Sequence, residues 1–142
     1  MRPVTEKGVI VAAYKNQRNP RFVVLNRKKN WEGWELPKGH LENDDYRETV
    51  RIELGEEAGI DREDIEDVRD LEHEVEWKTE DGDRCYRCFL VKLSDDVYID
   101  TNANPHDEHE KGFFMRESDA SSLLTYEDHV EVLEIASKAI DG

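Results

Sequence analysis

Cysteine is scarce, basic residues are outnumbered and long apolar runs are missing, and each shortage closes a class of function. Only two cysteines, Cys85 and Cys88, stand among the 142 residues. Their C-x-x-C spacing has no second pair to complete a zinc site. It also sits inside Arg84-Cys85-Tyr86-Arg87-Cys88-Phe89-Leu90-Val91, which reads as a strand. Residues three apart in a strand point to opposite faces, so joint chelation needs a bulge, and buried or half-buried thiols are expected instead. Lysine and arginine number 20 against 35 acidic residues, a net charge of −15. Broad contact with a nucleic acid polymer is thereby disfavoured, because its phosphates meet repulsion. Any polyanionic substrate must be small and bridged by cations. No stretch approaches the ~18 apolar residues of a membrane helix, and no apolar run follows the first charges. Neither membrane insertion nor secretion is indicated, and a cytoplasmic location is expected.

What remains reads as a single domain over residues 1–142, long enough to bury roughly two thirds of its unfolded surface. Val4 to Tyr14 and Arg21 to Arg27 read as an opening hairpin across the turn-forming segment Asn16-Gln17-Arg18-Asn19-Pro20. Ile65 to Thr79 alternates loosely, and Asp81-Gly82-Asp83 turns the chain into the Cys85 strand. Ser94 to Lys111 is long and polar and reads as a loop of the kind that carries function, returning in a short strand from Gly112 to Arg116. Thr125 and Asp128 form a capping-box pattern before a final helix with the stripe Tyr126, Val130, Leu133, Ala136 and Ile140. This order fits an α/β fold with a mixed sheet between two helical layers.

The chemistry concentrates between Gly39 and Ile60. Pro37-Lys38-Gly39 turns the chain; a helix begins near Asp44 or Asp45 and ends at Ala58, with Gly59 as its left-handed C-terminal residue. Glu53, Glu56 and Glu57 fall in its last two turns at i+3 and i+4 spacing. Like charges so placed repel by about 0.2–0.5 kcal/mol per pair. The negative end of the helix dipole adds about 0.3–1 kcal/mol against each at low salt. A hard cation such as Mg²⁺ or Mn²⁺ removes the penalty, since it takes carboxylate oxygens and completes its shell with water and phosphate. A merely solvated acidic face is the competing reading in so acidic a chain.

The segment Leu36 to Ile60 resembles the Nudix box, G-x5-E-x7-R-E-U-x-E-E-x-G-U with U aliphatic. Glu53, Leu54, Glu56, Glu57, Gly59 and Ile60 fall on the closing positions. Gly39 meets the opening glycine if the turn is one residue shorter, and Asp44 takes the place of the first glutamate. Ile52 stands where the box has arginine, and Arg51 points about 100° away from that position on the helix. Trp34-Glu35-Leu36-Pro37-Lys38-Gly39-His40-Leu41-Glu42 and the late pair Glu108-His109 are similar to the branch that cleaves dinucleoside polyphosphates.

The resemblance implies a Nudix-type α/β/α sandwich and a nucleotide pyrophosphohydrolase acting on acid anhydrides. Glu53, Glu56 and Glu57, with the Gly39 carbonyl, then hold Mg²⁺, with Mn²⁺ as the alternative, and either a box glutamate or Glu108 serves as general base. Lys38, with Arg27 or Lys29, is the expected cationic contact; Trp77 is the expected base-stacking ring, with Trp31 also eligible and Tyr86 and Phe89 favoured for packing; His109 is a further substrate contact. The substrate implied is a dinucleoside polyphosphate such as diadenosine tetraphosphate. Two alternatives stand beside it: hydrolysis of another nucleotide, such as a damaged nucleoside triphosphate or ADP-ribose, and a catalytically weak nucleotide-binding module, motivated by Ile52.

Overall fold

The run Val9 to Tyr14 is apolar on both sides of its alternation, which is the pattern of a strand covered on both faces. In the computed structural model, which describes residues 5–29, 32–101 and 109–141, that strand is the centre of the molecule. β1 (Glu6–Lys15) directs Val9, Val11 and Ala13 to one face and Ile10, Ala12 and Tyr14 to the other, all buried. Its long neighbour is β6 (Gly82–Leu93), paired in parallel from Glu6↔Arg84 to Tyr14↔Lys92. β2 (Arg21–Arg27) joins β1 antiparallel only at Tyr14↔Phe22 and Lys15↔Arg21. The expected opening hairpin is therefore real but short. Beyond it β2 lies against β3 (Gly33–Glu35) and β7 (His109–Arg116). β5 (Ile65–Thr79) pairs antiparallel with β6, with a register shift between Asp70 and Glu74 where Glu72 takes φ 55°. The seven-stranded sheet runs β3-β2-β1-β6-β5, and β4 (Lys38–His40) and β7 branch from β1 and β2.

Helix α1 (Tyr46–Ala58) starts where Asp45 accepts a hydrogen bond from the Glu48 amide, and stops at Gly59 with φ 66°. Val50, Leu54 and Ala58 pack on the face that carries Val9, Val11 and Ala13. Removing the buried Leu54 side chain at such a contact typically costs about 2–5 kcal/mol. The opposite face is covered by α3 (Glu127–Asp141) through Val132, Leu133 and Ala136. The mixed sheet between helical layers is thus the observed architecture.

Several local expectations change. Lys38, Gly39 and His40 are not a turn but β4, antiparallel to β1, because the chain closes against the free side of Val9 and Ile10. A further helix, α2 (Glu117–Leu123), follows β7 with only Ala120 buried, too little apolar patterning to reveal it. The Thr125 hydroxyl accepts from the Trp34 amide at 2.9 Å instead of closing a capping box, and Tyr126 stands before α3, 40% exposed. Cys85 and Cys88 do fall on opposite faces. Cys88 is in the core and Cys85 lies 3.0 Å from Glu74, with both thiols pushed up to about 12 chiefly by burial.

Candidate active site

The last two turns of α1 bring Glu53 and Glu57 over the end of β4, and both are buried despite their charge. Two backbone features make room for them. A Cβ on Gly39 would land inside the Glu53 carboxylate, so a side chain there is excluded. The Lys38 amide donates to Glu57 Oε1 at 2.8 Å, which ties the strand to the helix and holds that carboxylate in place. The Gly39 carbonyl is turned toward Gly8 of β1. The contribution of Gly39 visible here is therefore the space it leaves.

Glu53, Glu56 and Glu57 line a cavity of about 320 Å³ together with Arg27, Lys38, His40 and Tyr86. Burial, with Glu53 and Glu57 adding to it and Arg84 opposing, raises the Tyr86 hydroxyl above its usual range. Glu6 binds His40 and Arg84 at the rim, and the Tyr86 hydroxyl donates to it at 3.5 Å. Among the described residues no three acidic, histidine or cysteine side chains already stand at the spacing of a formed metal centre. The donor set nevertheless suits a hard cation: three carboxylates converge on one cavity, and the cations that share it suit phosphate oxygens.

Glu35 organises two of those cations. It is fully buried on β3, with Arg27 Nη1 3.2 Å from Oε1 and Lys38 Nζ 3.9 Å from Oε2. Nothing in the sequence marks this glutamate apart from 34 other acids, because its role depends on a strand pairing formed elsewhere.

Lys38 also opens onto a second cavity, of about 280 Å³, mostly apolar and walled by Ile10, Val75, Trp77 and Tyr126. Its Nζ lies 5.8 Å from the Trp77 ring centre and 5.5 Å from that of Tyr126. Trp77 is braced from behind by Tyr86 at 4.9 Å. Asp128 and His129 complete the slot. His129 is 4% exposed; its Nδ1 accepts from the Leu36 amide at 3.1 Å. Burial, then the Lys38 charge, lower its pKa to about 4, with Glu35 opposing.

Of the residues expected from the sequence, Arg27, Lys38, Gly39, Glu53, Glu56 and Glu57 gather at one cavity and Trp77 at the adjoining one. His109 opens β7 opposite Arg27. Trp31 and Glu108 lie outside the described residues. Tyr126 and His129 were not foreseen as site residues, because the stripe of α3 accounts for an apolar neighbourhood without needing a slot. Ile52, half-buried, faces a broad depression of about 720 Å³ on the far flank of α1, beside Arg51 and Arg62. That depression shares only Glu56 with the acidic cavity.

The NUDIX domain model matches residues 5–134. The chain belongs to the Nudix family. Membership carries the enzyme class, a Nudix hydrolase, and hydrolases of this family generally use a divalent metal such as Mg²⁺ and act on small nucleotides. Similar solved structures include an Ap4A hydrolase from C. elegans, in a binary complex, at 20% identity and TM-score 0.82, covering 96% of this chain and 98% of that one. The NUDIX domain of Shewanella oneidensis NrtR, complexed with ADP ribose, aligns at 14% identity and TM-score 0.76, over 96% and 89% of the two chains. The E. coli dihydroneopterin triphosphate pyrophosphohydrolase aligns at 18% identity and TM-score 0.75, over 90% and 92%. At such identities the likeness is one of fold. A search of curated protein sequences returned no match. Among the described residues, no helix of this Nudix protein is long and apolar enough to cross a membrane.

Proposed function

We propose that this single domain hydrolyses a diphosphate linkage in a nucleoside diphosphate derivative, and that its substrate is a dinucleoside polyphosphate such as diadenosine tetraphosphate. The observation that carries the proposal is the position of Lys38, which lines both the acidic cavity and the aromatic slot. A phosphate chain in the first cavity and a base in the second would meet at its ammonium group.

Glu53, Glu56 and Glu57 are the proposed ligands of Mg²⁺, and Gly39 keeps β4 thin enough for Glu53 to reach the cavity. Such a cation, when bound, neutralises phosphoryl oxygens and makes water a stronger nucleophile. The protein's own work is positioning and charge compensation. Lys38 and Arg27, which line the same cavity as the carboxylates, are the proposed contacts of the phosphate oxygens, and Glu35 limits the freedom of both. Trp77 and Tyr126 offer ring faces to a base. Proton removal from water falls to a box glutamate or to Glu108, and His109 is kept as a further substrate contact on the strength of the family pattern alone.

Incubation with diadenosine tetraphosphate and Mg²⁺ or Mn²⁺, read by chromatography, tests the reading. Release of ATP and AMP supports it. Absence of both, with turnover of ADP-ribose or of a damaged nucleoside triphosphate, transfers the activity to that substrate. Tight nucleotide binding with no turnover under either metal favours the weak binding module that Ile52 motivates.

A further inference from the structure

An apolar slot orients a ligand through its few fixed polar groups, and this slot contains one whose chemistry is set by the backbone behind it. His129 spends Nδ1 as an acceptor for the Leu36 amide. A neutral imidazole that accepts at Nδ1 carries its proton on Nε2, so the other edge of the ring is a donor. The ring is neutral well below physiological pH, because burial, then the Lys38 charge, depress its titration to about 4. Its tautomer is therefore constant across the working range. Among the described residues Nε2 has no hydrogen-bond partner, although the side chain is almost entirely buried and borders the slot. Nε2 is not one of the fully enclosed polar atoms left without a partner, so the small surface that the ring keeps includes this donor, at the border of the slot.

The other polar groups on the slot have different allegiances. Lys38 faces Glu35, and Asp128 is an exposed acceptor at the mouth. Ile10 and Val75 are apolar. A stacked ring entering between Trp77 and Tyr126 thus meets one preset donor, held beside Tyr126 by a ring contact at 5.3 Å.

We infer that His129 reads the base: its Nε2–H donates to an unprotonated ring nitrogen of a purine seated against Trp77 and Tyr126. The inference rests on the base occupying this slot, as proposed above, and not on which phosphate linkage is cleaved. A base whose facing nitrogen is protonated or replaced by C–H leaves the donor unsatisfied and is rejected.

The test is a cycle between protein and ligand. Wild type and His129→Phe are titrated calorimetrically with AMP and with its 1-deaza, 3-deaza and 7-deaza analogues, each of which replaces one ring nitrogen by C–H. One analogue is expected to bind wild type about tenfold more weakly than AMP. The same analogue and AMP are expected to bind His129→Phe within about twofold of each other, because the partner of that nitrogen has gone. Equal binding of all four ligands to wild type overturns the inference, as does a loss that persists in the variant. If His129→Phe does not fold, the imidazole Nε2–H resonance of wild type decides. It should move downfield with AMP and not with the sensitive analogue, and an unchanged resonance with AMP overturns the inference. Cleavage of diadenosine tetraphosphate is scored separately. Cleavage without deaza sensitivity sinks the His129 reading alone, whereas the deaza pattern without cleavage of any nucleotide sinks the hydrolytic reading alone. AMP that does not bind removes the slot from both.

Discussion

The acidic cavity and the aromatic slot share Lys38, yet they are assembled in opposite ways. The first draws its carboxylates from two turns of one helix, so its geometry is local and follows from a spacing of three and four residues. The second collects Trp77 from β5, Tyr126 from the approach to α3, His129 from α3 itself and Lys38 from β4. Its geometry exists only once the sheet has closed. The first cavity gathers charge and the second is walled mostly by apolar groups. Damage to the one should strike turnover, and damage to the other should strike affinity and specificity.

The largest effect should come from the acidic side. Glu57→Gln is expected to lower kcat by about 10²–10³-fold with Mg²⁺ at saturating substrate. Its metal-free melting temperature should be unchanged or higher, since glutamine still offers an oxygen to the Lys38 amide and carboxylate repulsion falls. A clear drop in metal-free melting temperature would contradict the account.

Glu35 joins the two regions, so its loss should be felt as stability. Glu35→Leu leaves Arg27 and Lys38 facing a buried apolar group and should cost about 3 kcal/mol in urea denaturation. KM for the nucleotide should rise with it.

On the aromatic side, His129 links stability to pH. Its folded pKa of about 4 lies below the ordinary histidine value of 6.5, so the unfolded chain binds the proton more readily. The stability held by the neutral ring is complete above pH 6.5 and is lost as pH falls toward 4. Within that window the slope attributable to His129 approaches about 1.4 kcal/mol per pH unit. A His129→Phe variant that folds should lose this component when denaturation is compared across pH.

Trp77→Ala removes one ring of the slot and should weaken nucleotide binding by about 1–3 kcal/mol, with kcat less affected. A kcat loss at unchanged KM would place Trp77 elsewhere in the chemistry. Ile52→Arg should do least, about threefold or less in kcat/KM, because position 52 faces the flank of α1 away from the acidic cavity. A gain of an order of magnitude would show that the missing box arginine matters despite that orientation.

Legibility followed the same division. Asp45 as helix cap, Gly59 as its stop, the three glutamates between them and the β5–β6 hairpin all express local periodicity and turn chemistry, and each was readable. The parallel pairing of β1 with β6 was not, since no local signal specifies a partner some 80 positions away. Glu35, Tyr126 and His129 were hidden for the same reason. A strand glutamate, a tyrosine in an apolar stripe and a helix histidine have ordinary local explanations, and only tertiary contacts distinguish them.

Gly8 carries no chemistry, yet a methyl group there would strike both the Gly39 carbonyl and the Tyr86 ring. The two strands meet at this point with nothing to spare. An alanine scan scored on turnover should therefore find position 8 intolerant, because prising β4 away would displace Lys38, whose side chain borders both compartments.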